Sequence, residues 1–225
     1  GNYRVNAAGY YQNTQLIYAY DGNNNTFIAI GNNAKHIGFK FAVNPTASLN
    51  KGDIDVNGKY YLRQSFANNQ QTTYYCYDVN PKSPTYLRLV NPANNFAAIN
   101  TPIQRAATNN ADFAIHPTNQ KHYGIYAPNN VGYLSIYDPI TNVISNHALT
   151  GSLATTSSGF GGAFFDADAN LYAFDNNTGL FHRINITTYE SIRISNTGTP
   201  NGGNDGASCT AVASFDTDLG DAPDT

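Results

Sequence analysis

Residues 161 to 194, GGAFFDADANLYAFDNNTGLFHRINITTYESIRI, hold four short apolar runs separated by tight polar turns (DADAN, DNNTG, NITT). The first run recurs along the chain as VNAAGYY, GDIDVN, ADFAIHP, GGAFFDA and DGASCTA, starting at residues 5, 52, 111, 161 and 205. That spacing is of the order of a propeller blade, about 40–50 residues. The second run recurs as LIYAYD, KYYLRQ, KHYGIYA and NLYAFD, and the third as TFIAIG, TTYYCYDV, GYLSIYDP and LFHRINI. HIGFKF, TYLRLV, NVISNHAL and YESIRIS supply the fourth. Each unit therefore reads as a four-stranded meander. Its first strand is rich in Gly, Ala and Asp, the small residues that a crowded centre of converging strands requires. The expected fold is all-β, a β-propeller of five four-stranded blades with the last blade incomplete. A two-sheet sandwich is the alternative.

Composition agrees with many short strands and many turns. Charged residues make up only 12% of the 225, and the net charge is −3. A chain that binds nucleic acid needs a basic face to neutralise phosphates, so that class is excluded. Polarity comes instead from Asn, Gly, Thr and Ser; Asn and Gly tolerate the backbone of tight turns. No apolar run is long enough to span a membrane as a helix, so membrane insertion is not expected. Few charges with much Asn and Thr favour an extracellular or cell-surface location.

The units do not close evenly. Five first strands stand against four sets of the other three. After DGASCTA the chain reads SFDTDLGDAPDT, which is unlike a second strand. The expectation is that an upstream segment, or a strand-donating partner chain, completes the fifth blade. The propeller domain is placed at 1–212, with 213–225 as a linker or the start of a following module.

NAAGYYQNTQLIYAYDGNNNTFIAIG, LNKGDIDVNGKYYL, ADFAIHPTNQKHYGIY, GGAFFDADANLYAFDNNTGLFHRI and the closing NDGASC, taken in order, resemble a propeller-like module. That module occurs in large secreted and cell-surface proteins, mostly bacterial and some fungal. The resemblance implies an adhesin-like multidomain context and carries no activity. Two departures from the module's pattern stand out. Ala169-Asn170 fills the stretch where a Gly usually follows the acidic turn, and a preceding strand group, sometimes bearing a Cys, is missing. Cys209 would then lack its partner, and a bridge to Cys76, on a third strand of another blade, is not expected.

The candidate sites are few. Asp166, Asp168 and Asn170 have the alternating oxygen spacing of a calcium loop, although an acidic β-turn accounts for them as well. Calcium is the one cofactor considered. Asp53, Asp55, Asp112 and Asp205 lie on or beside first strands; they could ring the axis as cation ligands or accept neighbouring backbone N–H groups. His116 and His122 lack companions for a metal set. SSGFGG lacks the Lys-Ser/Thr of a phosphate loop. Asn24, Asn176 and Asn185 are sequons, meaningful in a eukaryotic host. Among exposed tyrosines, Tyr11 and Tyr123, with His116, are the candidate ligand-binding residues, because an aromatic face stacks on a sugar or grips a peptide.

No catalytic residue is expected. The only glutamate, Glu190, falls in an outer turn or fourth strand, and there is no nucleophile-elbow motif. The function expected is a non-catalytic, extracellular binding module of a surface adhesin, recognising a glycan or a protein on another surface. The alternatives are a structural subunit of a fibre or stalk and, more weakly, a metal-dependent propeller hydrolase. The chain is therefore expected not to be an enzyme.

Overall fold

The computed structural model describes residues 5–33, 35–41, 49–64, 74–90, 111–157, 159–196 and 198–209. The first sheet runs β1 (Val5–Tyr11), β2 (Leu16–Asp21), β3 (Thr26–Ile30) and β4 (His36–Phe39). The second holds β5 (Leu49–Ile54), β6 (Lys59–Gln64) and β7 (Tyr74–Asp78). The third holds β8 (Ala114–Ile115), β9 (His122–Tyr126), β10 (Tyr133–Asp138) and β11 (Val143–Ala148). After β12 (Thr150–Gly151), the fourth sheet holds β13 (Phe160–Phe165), β14 (Leu171–Asp175), β15 (Phe181–Ile184) and β16 (Glu190–Arg193). In every sheet the main strands neighbour one another in chain order and pair antiparallel. The fold is all-β and propeller-like, with four blades among the described residues.

The blades stack through alternating side chains. Tyr18, Tyr20 and Phe27 of the first sheet meet Tyr60, Leu62 and Tyr77 of the second in one buried cluster. Tyr61, Cys76, Phe113 and Tyr137 join the second sheet to the third. Tyr123, Ile125, Phe160, Phe165 and Leu171 join the third to the fourth. Period-two alternation sends these rings to one face, and each fully buried large side chain contributes about 1.5–3 kcal/mol.

First strands lie innermost and touch, as their small residues require. A Cβ on Gly52 would stand 2.8 Å from the Ala7 carbonyl oxygen, and one on Gly9 would stand 2.9 Å from the Ile54 nitrogen. Register shifts mark β1, β5 and β13, the three long inner strands. Such bulges add twist where strands converge.

Three expectations change. TYLRLV forms no fourth strand. Its residues close turns and meet β7 through a Tyr77–Leu89 bridge and backbone bonds from Leu87 N–H to the Asp78 carbonyl, Asp78 N–H to the Arg88 carbonyl and Val90 N–H to the Cys76 carbonyl, while the Asp78 carboxylate gathers Ser83, Thr85 and Lys59 around itself. The linker strand β12, unforeseen in the sequence, pairs parallel with β16 and lines the outer edge of the fourth sheet. Residues 205–209 form no strand, so the described residues show no fifth sheet. They lie instead against two inner strands: a Cβ on Gly206 would come within 2.6 Å of the Ala163 nitrogen, and Ala207 packs on Ala8, Ala19 and Ile28. The proposed linker 213–225 lies outside the described residues.

Candidate functional site in the axial cleft

Where the inner strands end, their last residues and following turns surround a small cleft with about 30 Å³ of room. Tyr10 and Gln12 come from the first sheet, Asp53 and Val56 from the second, His116 and Gln120 from the third and Phe164 from the fourth, with Ser208 beside them. Every blade contributes, as do residues 205–209.

The turns that set this rim share one device. An acceptor at the end of the inner strand takes backbone N–H groups two to four residues on. Asp55 accepts from Asn57 at 2.9 Å and Lys59 at 2.7 Å. Asp166 accepts from Asp168 at 3.0 Å and Asn170 at 2.9 Å. His116 stands at the same place in the third blade, its Nδ1 accepting from Thr118 at 3.0 Å and Asn119 at 3.2 Å. Those two donors assign the proton of the neutral ring to Nε2, and burial lowers the histidine pKa, which keeps the ring neutral. His116 therefore brings an Nε2–H donor to the cleft. Gln120 brings the reverse: its Nε2 donates to the Pro117 carbonyl at 2.7 Å, while its Oε1 is buried without a partner. Gln12 Oε1 accepts from the Cys209 thiol at 2.8 Å, and the Ser208 hydroxyl donates to the Phe165 carbonyl.

The tyrosines chosen from the sequence sit elsewhere. Tyr11 is in the core between the first two sheets, and Tyr123 packs on His116 and Phe165 in the core of the last two. Alternation explains the exchange: Tyr10, the neighbour of Tyr11, points the opposite way and lines the cleft. Of the three candidates His116 alone lines it.

The axial aspartates act as clasps between strands. Asp53 accepts from its own neighbour Ile54 at 2.8 Å and from Ile115 of the next inner strand at 2.7 Å. Asp112 Oδ2 accepts from Ala163 at 2.8 Å. Asp205 accepts from Gly206 at 3.0 Å and from Ala8, 197 residues away in sequence, at 2.8 Å. Burial raises Asp53 to about 8 and Asp205 to about 7, and pushes Asp112 well above the carboxylate range. Asp55 belongs to its turn. Among the described residues no three His, Cys, Asp or Glu side chains are grouped to hold a metal.

At the proposed calcium loop the Asp166 carboxylate is saturated by protein donors, since Asn170 Nδ2 and the Tyr172 hydroxyl also bind it, at 3.0 and 2.9 Å. Asp168 is exposed. Asn24 and Asn185 are exposed, whereas Asn176 is half-buried with its Oδ1 bound by Gly161 and Asn204. Cys76 and Cys209 are both free thiols. His122 is buried against Phe113, Tyr61 and Tyr137, far into the core. Glu190 begins the outer strand β16.

Sequence reasoning missed a serine–histidine pair at the rim of the fourth sheet, where Ser152 Oγ lies 2.9 Å from His182 Nδ1. The nearby Asp175 carboxylate serves its own turn through Asn177 and Thr178, and His182 Nε2 is buried without a partner. A nucleophilic triad needs that second nitrogen held by an acid, so the pair is built for packing.

Comparison with known proteins agrees with this architecture. A repeat of unknown function, DUF6923, matches residues 1–211. The chain belongs to the DUF6923 family. Among curated proteins nothing matches this family member. Its fold is shared with catalytically inactive virginiamycin B lyase from Staphylococcus aureus in complex with quinupristin (TM-score 0.51, 12% identity, 92% of this chain and 60% of that one). It is also shared with a streptogramin B lyase (0.54, 12%, 92% and 74%). A third neighbour is an auxiliary nutrient binding protein from Bacteroides ovatus (0.55, 15%, 83% and 40%). The DUF6923 chain thus spans less than two thirds of the first and third of these proteins. The lyases overturn the expectation that this chain is not an enzyme. That expectation rested on the resemblance and on the lack of a catalytic motif in the sequence, whereas the fold is one that enzymes also use.

Proposed function

We propose that the axial cleft is a binding site for a polar ligand with ring or chain hydroxyls or amides, a carbohydrate first and a peptide second. One observation carries the reading: His116, whose neutral ring keeps Nε2–H as its donor, and Gln120, whose buried Oε1 has no partner, line the cleft together with the aromatic side chains Tyr10 and Phe164. An acceptor without a partner costs about 1–3 kcal/mol, which a ligand hydroxyl or amide would recover. Aromatic faces beside converging polar groups are the usual lining of a small-molecule site. We place the module outside the cell, as one unit of a larger adhesin-like surface protein, on its low charge, its abundance of Asn and Thr and a shared fold with a nutrient binding protein. A fifth sheet, completed by an upstream segment or a partner chain, belongs to the same reading.

A second reading is catalysis in the same cleft. It is favoured by the neutral His116 there and by the lyases of the same fold. Turnover of a bound ligand would separate the two. The test is a screen of the module on glycan and peptide arrays, repeated with Tyr10→Ala and Ser208→Ala. Binding that falls about tenfold or more in Tyr10→Ala, with an unchanged melting temperature, supports the cleft. Hits that bind both variants as tightly as the parent refute it.

A further inference from the structure

We propose that a groove beside the outer strands of the fourth sheet is a second binding site, for a hydroxylated monocarboxylate such as a sugar acid. The groove runs between residues 152–157, which follow β12, and the β14–β15 turn with β15 and β16. It has about 580 Å³ of room and shares no residue with the axial cleft. Its wall is fixed by backbone pairing. β12 pairs with β16, the Ser152 N–H donates to the Ser191 carbonyl at 2.9 Å, and a Cβ on Gly151 would stand 2.1 Å from that carbonyl oxygen. The Ser191 hydroxyl completes the tie, donating to the Thr150 carbonyl at 2.6 Å and accepting from the Leu153 N–H at 2.8 Å.

Two side chains of this groove select the ligand class. His182 and Arg193 stand directly opposite each other across β15 and β16, so they share one face of the sheet as neighbours. His182 is 5% exposed. Packing fixes one side of its ring, where Nδ1 lies 2.9 Å from Ser152 Oγ, and leaves Nε2 buried without a partner. The Ser152 hydroxyl has two acceptors within reach, Nδ1 at 2.9 Å and Ser191 Oγ at 3.5 Å. The nearer one takes the serine proton, which assigns the ring proton to Nε2. Burial, against the pull of Asp175, lowers the histidine pKa, so the ring stays neutral. Arg193 is exposed and, among the described residues, makes no hydrogen bond or ion pair. Two neighbouring donors with no protein acceptor call for an acceptor from outside, and a guanidinium fork matches a carboxylate. Asp175 also lines the groove, its Oδ1 holding the N–H groups of Asn177 at 2.8 Å and Thr178 at 3.1 Å. Its charge repels a phosphate dianion more than a single carboxylate. Thr155, Ser157 and Thr178 add hydroxyl side chains to the lining, which suit the hydroxyls of a sugar acid.

The test is titration of the nitrogen-15-labelled module with D-glucuronate, D-gluconate, D-glucose and inorganic phosphate, followed at the backbone amides and the His182 ring nitrogens. At least one of the two sugar acids should shift residues 152–157, Thr178 and the His182 ring. It should bind at least about tenfold more tightly than glucose or phosphate, the worth of a hydrogen bond to a charged group. Arg193→Gln, a change at an exposed residue, should remove that margin. Glucose or phosphate binding as tightly, or a margin that survives Arg193→Gln, would overturn the site. So would sugar-acid shifts confined to the axial cleft, or no shift at residues 152–157 with about 10 mM of either acid, well above the weakest useful affinity of about 1 mM. The ring nitrogens of the parent decide independently of any variant: the His182 proton should sit on Nε2 at neutral pH, and an Nδ1–H ring would overturn the proposal.

Discussion

Ala169 has φ of 60° in the turn between β13 and β14, and its counterparts in the other blades are Gln15 at 56°, Gly58 at 80° and Gln120 at 59°. The turn demands a left-handed residue, and only glycine takes it without strain. The stretch Ala169-Asn170, where the resembled module usually carries Gly, does hold the left-handed residue, and it is the alanine that turns. Ala169→Gly should stabilise the fold by about 0.5–1 kcal/mol, since relief of about 1–2 kcal/mol of left-handed strain outweighs the roughly 0.4–1 kcal/mol of added chain entropy in the unfolded state; it is read as a rise of a few degrees in melting temperature, and a fall would mean that the backbone there relaxes some other way. Single residues also separate device from site. Asp166 looks like a ligand by spacing, and four protein donors, three of them backbone or amide groups of its own turn, make five hydrogen bonds to its carboxylate.

At the scale of elements, the inner strands fix how closely the blades approach. Gly52 and Gly9 lie against the backbone of the facing inner strand, so a methyl at either must push two strands apart. Gly52→Ala should cost about 1–3 kcal/mol, measured by chemical denaturation; a neutral result would show that the inner strands are less tightly packed than these contacts require. Much of this level was legible. The meander, the innermost position of the small-residue strands and the outer place of Glu190 follow from period-two patterning and turn signals. The fourth strand of the second sheet was not, because a buried carboxylate, Asp78, organises residues 79–88 into turns that hydrophobic pattern cannot foresee. Strand β12 is two residues long and carries no pattern at all. The cleft was half legible. His116 was named, but choosing Tyr11 over Tyr10 requires knowing which face of β1 meets the second sheet, a matter of register that a bulge in that strand shifts.

At the scale of the whole molecule, four sheets and residues 205–209 meet at one axis, and two things happen there. The deeper layer is made of carboxyls that clasp neighbouring strands, and the mouth is the polar and aromatic cleft. Asp53 belongs to both, clasping Ile115 while lining the cleft. Ser208 lies three residues beyond the Asp205 clasp and also lines it. A ligand seated at the mouth therefore touches the segment that closes the ring. Binding and closure should support each other, and a bound ligand should raise the melting temperature most at pH 8–9, where the clasp carboxyls Asp53 and Asp205, raised by burial to about 8 and about 7, ionise and weaken the fold. An equal rise at pH 5 and pH 9 would mean that the mouth and the carboxyl clasps are energetically separate.

The central claim is that the cleft binds ligand. Backbone amide chemical shifts of the nitrogen-15-labelled module, followed during titration with an equimolar mixture of glucose, galactose, mannose and N-acetylglucosamine and then with a mixed tetrapeptide library, test it most directly. The account predicts shifts concentrated at Gln12, Val56, Gln120 and Ser208, four positions on separate segments that all line the cleft. Shifts confined to the outer turns, or none with either mixture, would contradict it.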